Sequence, residues 1–190
     1  MPMGASGSSA VLVIDVQQAI FRGRGGARNA EAEQALDGVV QRIARLLSGA
    51  RAHAVPVVYV QHDGGPGSRL ERGTAGWTIR SEIAPLPGEP VIEKHACDSF
   101  FQTTLDDVLR AMGVTSLIVV GCMTQYCVDT AVRRAVSLGY DVVLVSDAHT
   151  TADSGELRFE QIVAHHNALL DGLDAGGHVV RVRPASSIEF

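Results

Sequence analysis

Six short runs rich in valine, isoleucine and leucine recur along the chain with helix-compatible stretches between them, and this alternation restricts the fold more than any other feature of its 190 residues. The runs are AVLVID (10–15), VPVVYVQ (55–61), PVIEK (90–94), SLIVVG (116–121), DVVLVSD (141–147) and HVVRV (178–182). Near-continuous apolar runs of this length are how strands buried on both faces of a parallel sheet read. The stretches 30–52, 103–112, 125–138 and 156–173 have the length and punctuation of helices. The order predicts a three-layer α/β/α fold, a parallel sheet with helices on both faces. Segment 63–89 breaks the pattern: its glycines and prolines predict a long structured loop with at most one short helix near 78–83. Loops that long inside a compact domain tend to carry function.

The chain shows no internal repeat and no second composition regime, so 10–190 is expected to be one domain behind a flexible leader, 1–9. That leader lacks the basic patch and apolar core of a signal peptide. A hydrophobic content of 46% with 19% charged residues is ordinary for a globular protein. The apolar blocks 114–122 and 142–145 are too short to cross a membrane. A net charge of −5 without a Lys/Arg run offers no footprint for nucleic acid. Three cysteines, Cys97, Cys122 and Cys127, form no disulfide framework, which suits a reducing, cytoplasmic setting.

In an open parallel sheet, ligands bind beyond the carboxyl ends of the strands. Asp15, His62, Asp63, Lys94, Cys127 and Asp147 all fall at or just after such ends. Any one of them alone reads equally well as a turn former or cap; an acid, an amine and a thiol converging on one edge do not. Cys127 lies in GCMTQYCVDTAVRRA, which runs from a buried strand into a helix. With Thr124 as N-cap it would sit in the first turn, where the helix end favours a thiolate. Cys97 and Cys122 read instead as small buried hydrophobes. Asp15 and Lys94 fit the proton acceptor and compensating charge that a thiol nucleophile needs, although spacing alone does not join them. Gln17, Phe21, His62, Trp77, Phe100 and Tyr126 are candidate pocket residues, Trp77 and Phe100 fitting a core role equally well. His165 and His166 are adjacent on a helix, so they diverge, and a surface or interface role is expected of them.

Four motifs in order, VLVIDVQQAI, EKHACDSFFQTTLDDVLRAMGV, VVGCMTQYCVDTAVRRAVSLGYDVVLVSDAHTT and EQIVAHHNALL, resemble the isochorismatase-like cysteine hydrolases from Val11 to about Val182. The resemblance implies a six-stranded Rossmann-like sheet, Cys127 as nucleophile, Asp15 as general base and Lys94 as third catalytic residue. It also implies a cis peptide at Cys122–Met123 and an oxyanion hole from the N–H groups of Met123 and Cys127. The activity implied is cleavage of an amide, ureido or lactam C–N bond through a thioester, in a homodimer or homotetramer. Alternatives are enol-ether hydrolysis, as for isochorismate, or a non-catalytic small-molecule-binding role. Nicotinamidase-like relatives hold a metal with an Asp, a His two residues on and a further His. YVQHDGGPG offers only His62 and Asp63, so no metal and no cofactor are expected. Gln125 stands where many relatives have an acidic residue. Two rivals are weak: the glycines of FRGRGGARN do not spell GxGxxG, and Cys122 and Cys127 are not spaced as CxxC.

Overall fold

The structure, a computed structural model, describes residues 8–24 and 26–190. All six apolar runs are strands: β1 (Ser8–Ile14), β2 (Val57–His62), β3 (Val91–Lys94), β4 (Val114–Cys122), β5 (Asp141–Thr150) and, after one further strand, β7 (His178–Arg183). The additional strand, β6 (Asp174–Ala175), makes the sheet seven-stranded rather than six-stranded, in the order β3-β2-β1-β4-β5-β7-β6. It is antiparallel to β7, whereas the other pairings are parallel. Gly176 and Gly177 join the two strands with φ of 59° and 94°, the positive values that a tight two-residue hairpin requires.

β1 shows why its sequence must be apolar throughout. Val11 and Val13 point to one face, against Leu36, Val39, Val40, Ile43 and Leu47 of α1 (Asn29–Ala52). Ala10, Leu12 and Ile14 point to the other, against Leu105 and Leu109 of α2 (Leu105–Ala111) and Ala131, Val132 and Ala135 of α3 (Asp129–Ser137). Alternate residues of one strand thus feed two cores, and all five are at most 1% exposed. The last helix, α4 (Phe159–Leu170), starts in the first core with Phe159 and ends in the second with Leu170.

Apart from β6, differences from the sequence reading lie at element ends. The stretch 125–138 is a five-residue π-helical turn, Thr124–Val128, followed by α3. Most of the expected leader lies outside the described residues, and its last two, Ser8 and Ser9, belong to β1. The segment after β2 is indeed a long loop, with one 3-10 turn at Ser81–Ile83. It is stitched to the segment after β1: the N–H groups of Gln18 and Ala19 donate to Thr78 and Gly76 carbonyls, and that of Arg80 to Val16. Among the described residues no helix is long and apolar enough to cross a membrane.

Candidate active site

The strand order runs outward from β1 in one direction and from β4 in the other, so the topology switches between them, where open sheets form a crevice. Asp15 leaves β1 at this crevice with φ of 51°, a left-handed conformation that is costly for a residue with a Cβ and tends to be kept at functional sites. At the end of β4, Gly121 has φ of 125°, and a Cβ there would collide with the Ile14 backbone. Glycine is what allows the two strand ends to approach this closely. The next peptide bond, Cys122–Met123, is cis, and the π-helical turn that carries Cys127 follows it.

Lys94, at the end of β3, reaches across to both. Its Nζ lies 2.8 Å from Asp15 Oδ2, donates to Cys127 Sγ at 3.2 Å and to the Ala96 carbonyl at 2.8 Å, and is 3.4 Å from His62 Nδ1. Lys94 is the only lysine in the chain, and its side chain is fully buried. The approach of Nζ to Oδ2 is ionic rather than aligned as a hydrogen bond, and Asp15 Oδ1 has no hydrogen-bond partner among the described residues. Burial, with the Cys127 charge beside it, raises the Asp15 carboxyl well above the usual range against the pull of Lys94. For Lys94 burial acts downward, but Asp15 and Cys127 outweigh it and the ammonium is held more firmly than usual. An acid so raised is matched to taking a proton from a nearby thiol.

Cys127 opens onto a cavity of about 240 Å³. Asp15, His62, Cys97 and Met123 line it with Cys127, and Ile20, Leu70, Tyr126, Arg24 and Arg69 complete the wall. The thiol environment differs from the sequence reading in two respects. Thr124 is no cap: its hydroxyl is 2.9 Å from His149 Nδ1, and the residue before the turn makes no side-chain cap bond. Cys97 is exposed on the cavity rather than buried, because the chain turns back over the site directly after Lys94. Its hydrogen bond with Cys127 draws Cys97 down to about 6, against burial and with help from Lys94. The same bond and burial push Cys127 up, with Lys94 and Asp15 opposing. The compensating charge beside the Cys127 thiol is the Lys94 ammonium rather than a helix end. Cys122 is buried, as expected.

The domain family that matches residues 9–182 is the isochorismatase domain. The chain belongs to the isochorismatase family. Among curated proteins of the family it is 40% identical over 144 residues to a streptothricin hydrolase of Streptomyces noursei, a match covering 76% of this chain and 50% of the relative. It is 32% identical over 170 residues to the ureidoacrylate amidohydrolase RutB of Rhizobium rhizogenes, covering 74% and 69%. The chain thus spans about half the length of the streptothricin hydrolases it matches. Among solved structures, an isochorismatase from Pseudomonas putida KT2440 superposes with a TM-score of 0.83 at 30% identity, covering 99% of this chain and 93% of that one. An N-carbamoylsarcosine amidase from Thermoplasma acidophilum does so with 0.76 at 25%, covering 96% and 99%.

The other residues singled out in this family member fall into two groups. His62 and Tyr126 are on the cavity wall; burial and Lys94 lower the His62 pKa. Gln17, Phe21, Trp77 and Phe100 do not line the cavity. Phe21 and Phe100 are core residues, the latter stacked on Tyr140 with centroids 6.2 Å apart. Gln17 is a fully buried staple: its Nε2 donates to the carbonyls of His62 and Trp77 at 2.9 and 2.8 Å, and its Oε1 accepts from His62 N–H at 3.0 Å. Asp147 accepts from Ala185 N–H at 2.8 Å and holds the last segment of the chain instead of facing the site. Asp63 anchors the loop through Gly65 N–H at 2.9 Å. Its carboxylate, with Glu93 and His95, forms a group whose ligand atoms lie within 4.8 Å of one another; His62 is not part of it. His165 and His166 touch edge to face, and His166 Nδ1 is tied to the Ile162 carbonyl at 2.8 Å. The arginines of the wall, Arg24 and Arg69, and the exposed thiol of Cys97 were not legible as site residues.

Proposed function

We propose that this chain is a cysteine-dependent hydrolase that cleaves a C–N bond (amide, ureido or lactam) of a small molecule through a thioester. The observation that carries the reading is the contact of one buried ammonium, Lys94 Nζ, with both Asp15 Oδ2 at 2.8 Å and Cys127 Sγ at 3.2 Å beside a cavity. The amidohydrolase and amidase names of its relatives support the bond type.

In this mechanism Asp15 takes the Cys127 proton and Lys94 stabilises the anion that forms. The thiolate attacks the carbonyl carbon, and the N–H groups of Met123 and Cys127 receive the developing oxyanion. Asp15 returns its proton to the leaving nitrogen as the C–N bond breaks. It then takes a proton from a water that attacks the thioester, and the acid product leaves with the thiol restored. One carboxyl group alternates between base and acid.

The test is product release from a panel of small amides, ureido acids and lactams, run beside Cys127→Ala. Turnover that vanishes in the variant supports the reading. Equal activity in both removes Cys127 as nucleophile and leaves enol-ether hydrolysis as the chemistry to assay.

A further inference from the structure

The cavity wall holds more positive charge than the catalytic set uses. Asp15 and Cys127 share Lys94 as their counter-charge, and the Cys97 thiol on the same wall, even when ionised, offsets one cation and no more. Arg69 and Arg24 line the same cavity as Cys127. Most arginines in this chain are paired: Arg51 with Glu89 at 2.8 Å, Arg80 with Asp37 at 2.8 Å and Arg133 with Asp129 at 3.0 Å are examples. Arg24 and Arg69 take part in no ion pair among the described residues, in a protein whose net charge is −5 and where acids are plentiful.

Arg69 is also held in place. Its Nε donates to the carbonyls of Ala19 and Ile20 at 3.1 and 3.2 Å, which fixes the guanidinium plane on the segment after β1. The two terminal nitrogens make no hydrogen bond among the described residues. Burial lowers its pKa and the nearby Arg24 adds to that, with the Cys127 charge opposing both. A planar fork with two free nitrogens matches a carboxylate bidentately. Ile20, Leu70 and Met123 supply apolar wall in the same cavity.

We propose that Arg69 and Arg24 form a carboxylate-binding subsite in this cavity, so that the substrate is a small amide or ureido compound bearing a free carboxylate rather than a neutral or cationic one. The subsite deepens the hydrolase reading and rests on it for the reaction, but carboxylate binding can be tested without turnover. Cys127→Ala protein is titrated by calorimetry with N-carbamoyl-β-alanine and with the corresponding neutral carboxamide. The acid is expected to bind about 10- to 100-fold more tightly, the range for a hydrogen-bonded charge. Adding Arg69→Gln should remove the difference, Arg69→Lys should retain part of it, and Arg24→Gln should reduce it. Affinity for the carboxamide should not change, which shows that the variants are folded. Equal affinity for acid and amide, binding of neither, or a preference that survives Arg69→Gln would overturn the subsite. In the turnover assay, hydrolysis of neutral amides as fast as acids would refute the subsite and leave the hydrolase reading intact; carboxylate binding without any turnover would do the reverse.

Discussion

Replacing Lys94 by methionine keeps an unbranched side chain, one atom shorter, and removes the charge that two other residues share. Two unit charges 2.8 Å apart attract by about 6 kcal/mol at an effective dielectric of ~20. Methionine also relieves the cost of burying an ammonium, which returns part of that, and removing one member of a buried pair nets a loss of about 3–5 kcal/mol. For a domain of this size that lowers the unfolding midpoint by roughly 6–20 °C. The loss should grow as pH rises. Asp15 is already raised by burial, and without Lys94 the folded state holds its proton still more strongly than the unfolded state, so stability falls as that proton is withdrawn. Urea unfolding of wild type, Lys94→Met, Asp15→Asn and the double variant completes a cycle. The double variant, neutral at both positions, should be more stable than the sum of the single losses allows by about 3 kcal/mol, yet all three should lack turnover. Additive losses would refute the ion pair, and activity in the double variant would refute the catalytic roles.

Three further outcomes follow from the geometry. His149 is buried and its Nε2–H donates to Asn167 at 2.9 Å. Burial lowers its pKa from 6.5 to about 4 against that hydrogen bond; only the unfolded state gains a proton across this window, so acidification from pH 6.5 to 4 should cost about 3 kcal/mol of stability. The slope should be absent in His149→Gln, by urea unfolding at several pH values. The Cys97–Cys127 pair should lose its first proton near pH 6, read as thiolate absorbance in the ultraviolet, and Cys97→Ser should move that midpoint up because the hydrogen bond between the sulfurs is gone. Gly121→Ala should destabilise by at least ~2 kcal/mol, since its φ of 125° is strained for a residue with a Cβ and that Cβ collides with Ile14; a midpoint within a degree of wild type would contradict the close approach of β1 and β4.

What the sequence could show follows from what is local. The six long strands and the cores of four helices were legible because burial on both sheet faces imposes apolar runs and helix packing imposes a period. β6 was not, because two residues carry no hydrophobic pattern; the Gly-Gly at 176–177 was the available sign. Asp15, Lys94 and Cys127 were legible as strand-end chemistry, and their meeting required the strand order. Phe21 and Phe100 lie close in sequence to Asp15 and Lys94 but point into the two cores, a matter of which side of the backbone they leave. Arg69 and Cys97 reach the cavity through loops, and loop paths are set by tertiary hydrogen bonds such as those from Arg69 to Ala19 and Ile20. The sign for Cys97 was its place three residues after the only lysine.

That only lysine has a practical corollary for handling the protein. With Lys94 enclosed, no lysine side chain faces solvent, and surface basicity is carried by guanidinium groups. Acylating reagents used to label or immobilise proteins should therefore find no side-chain amine while the fold is closed. Uptake of a label at Lys94 would then time the opening of the sheet edge around Asp15 and Cys127, a clock for local unfolding that needs no engineered probe.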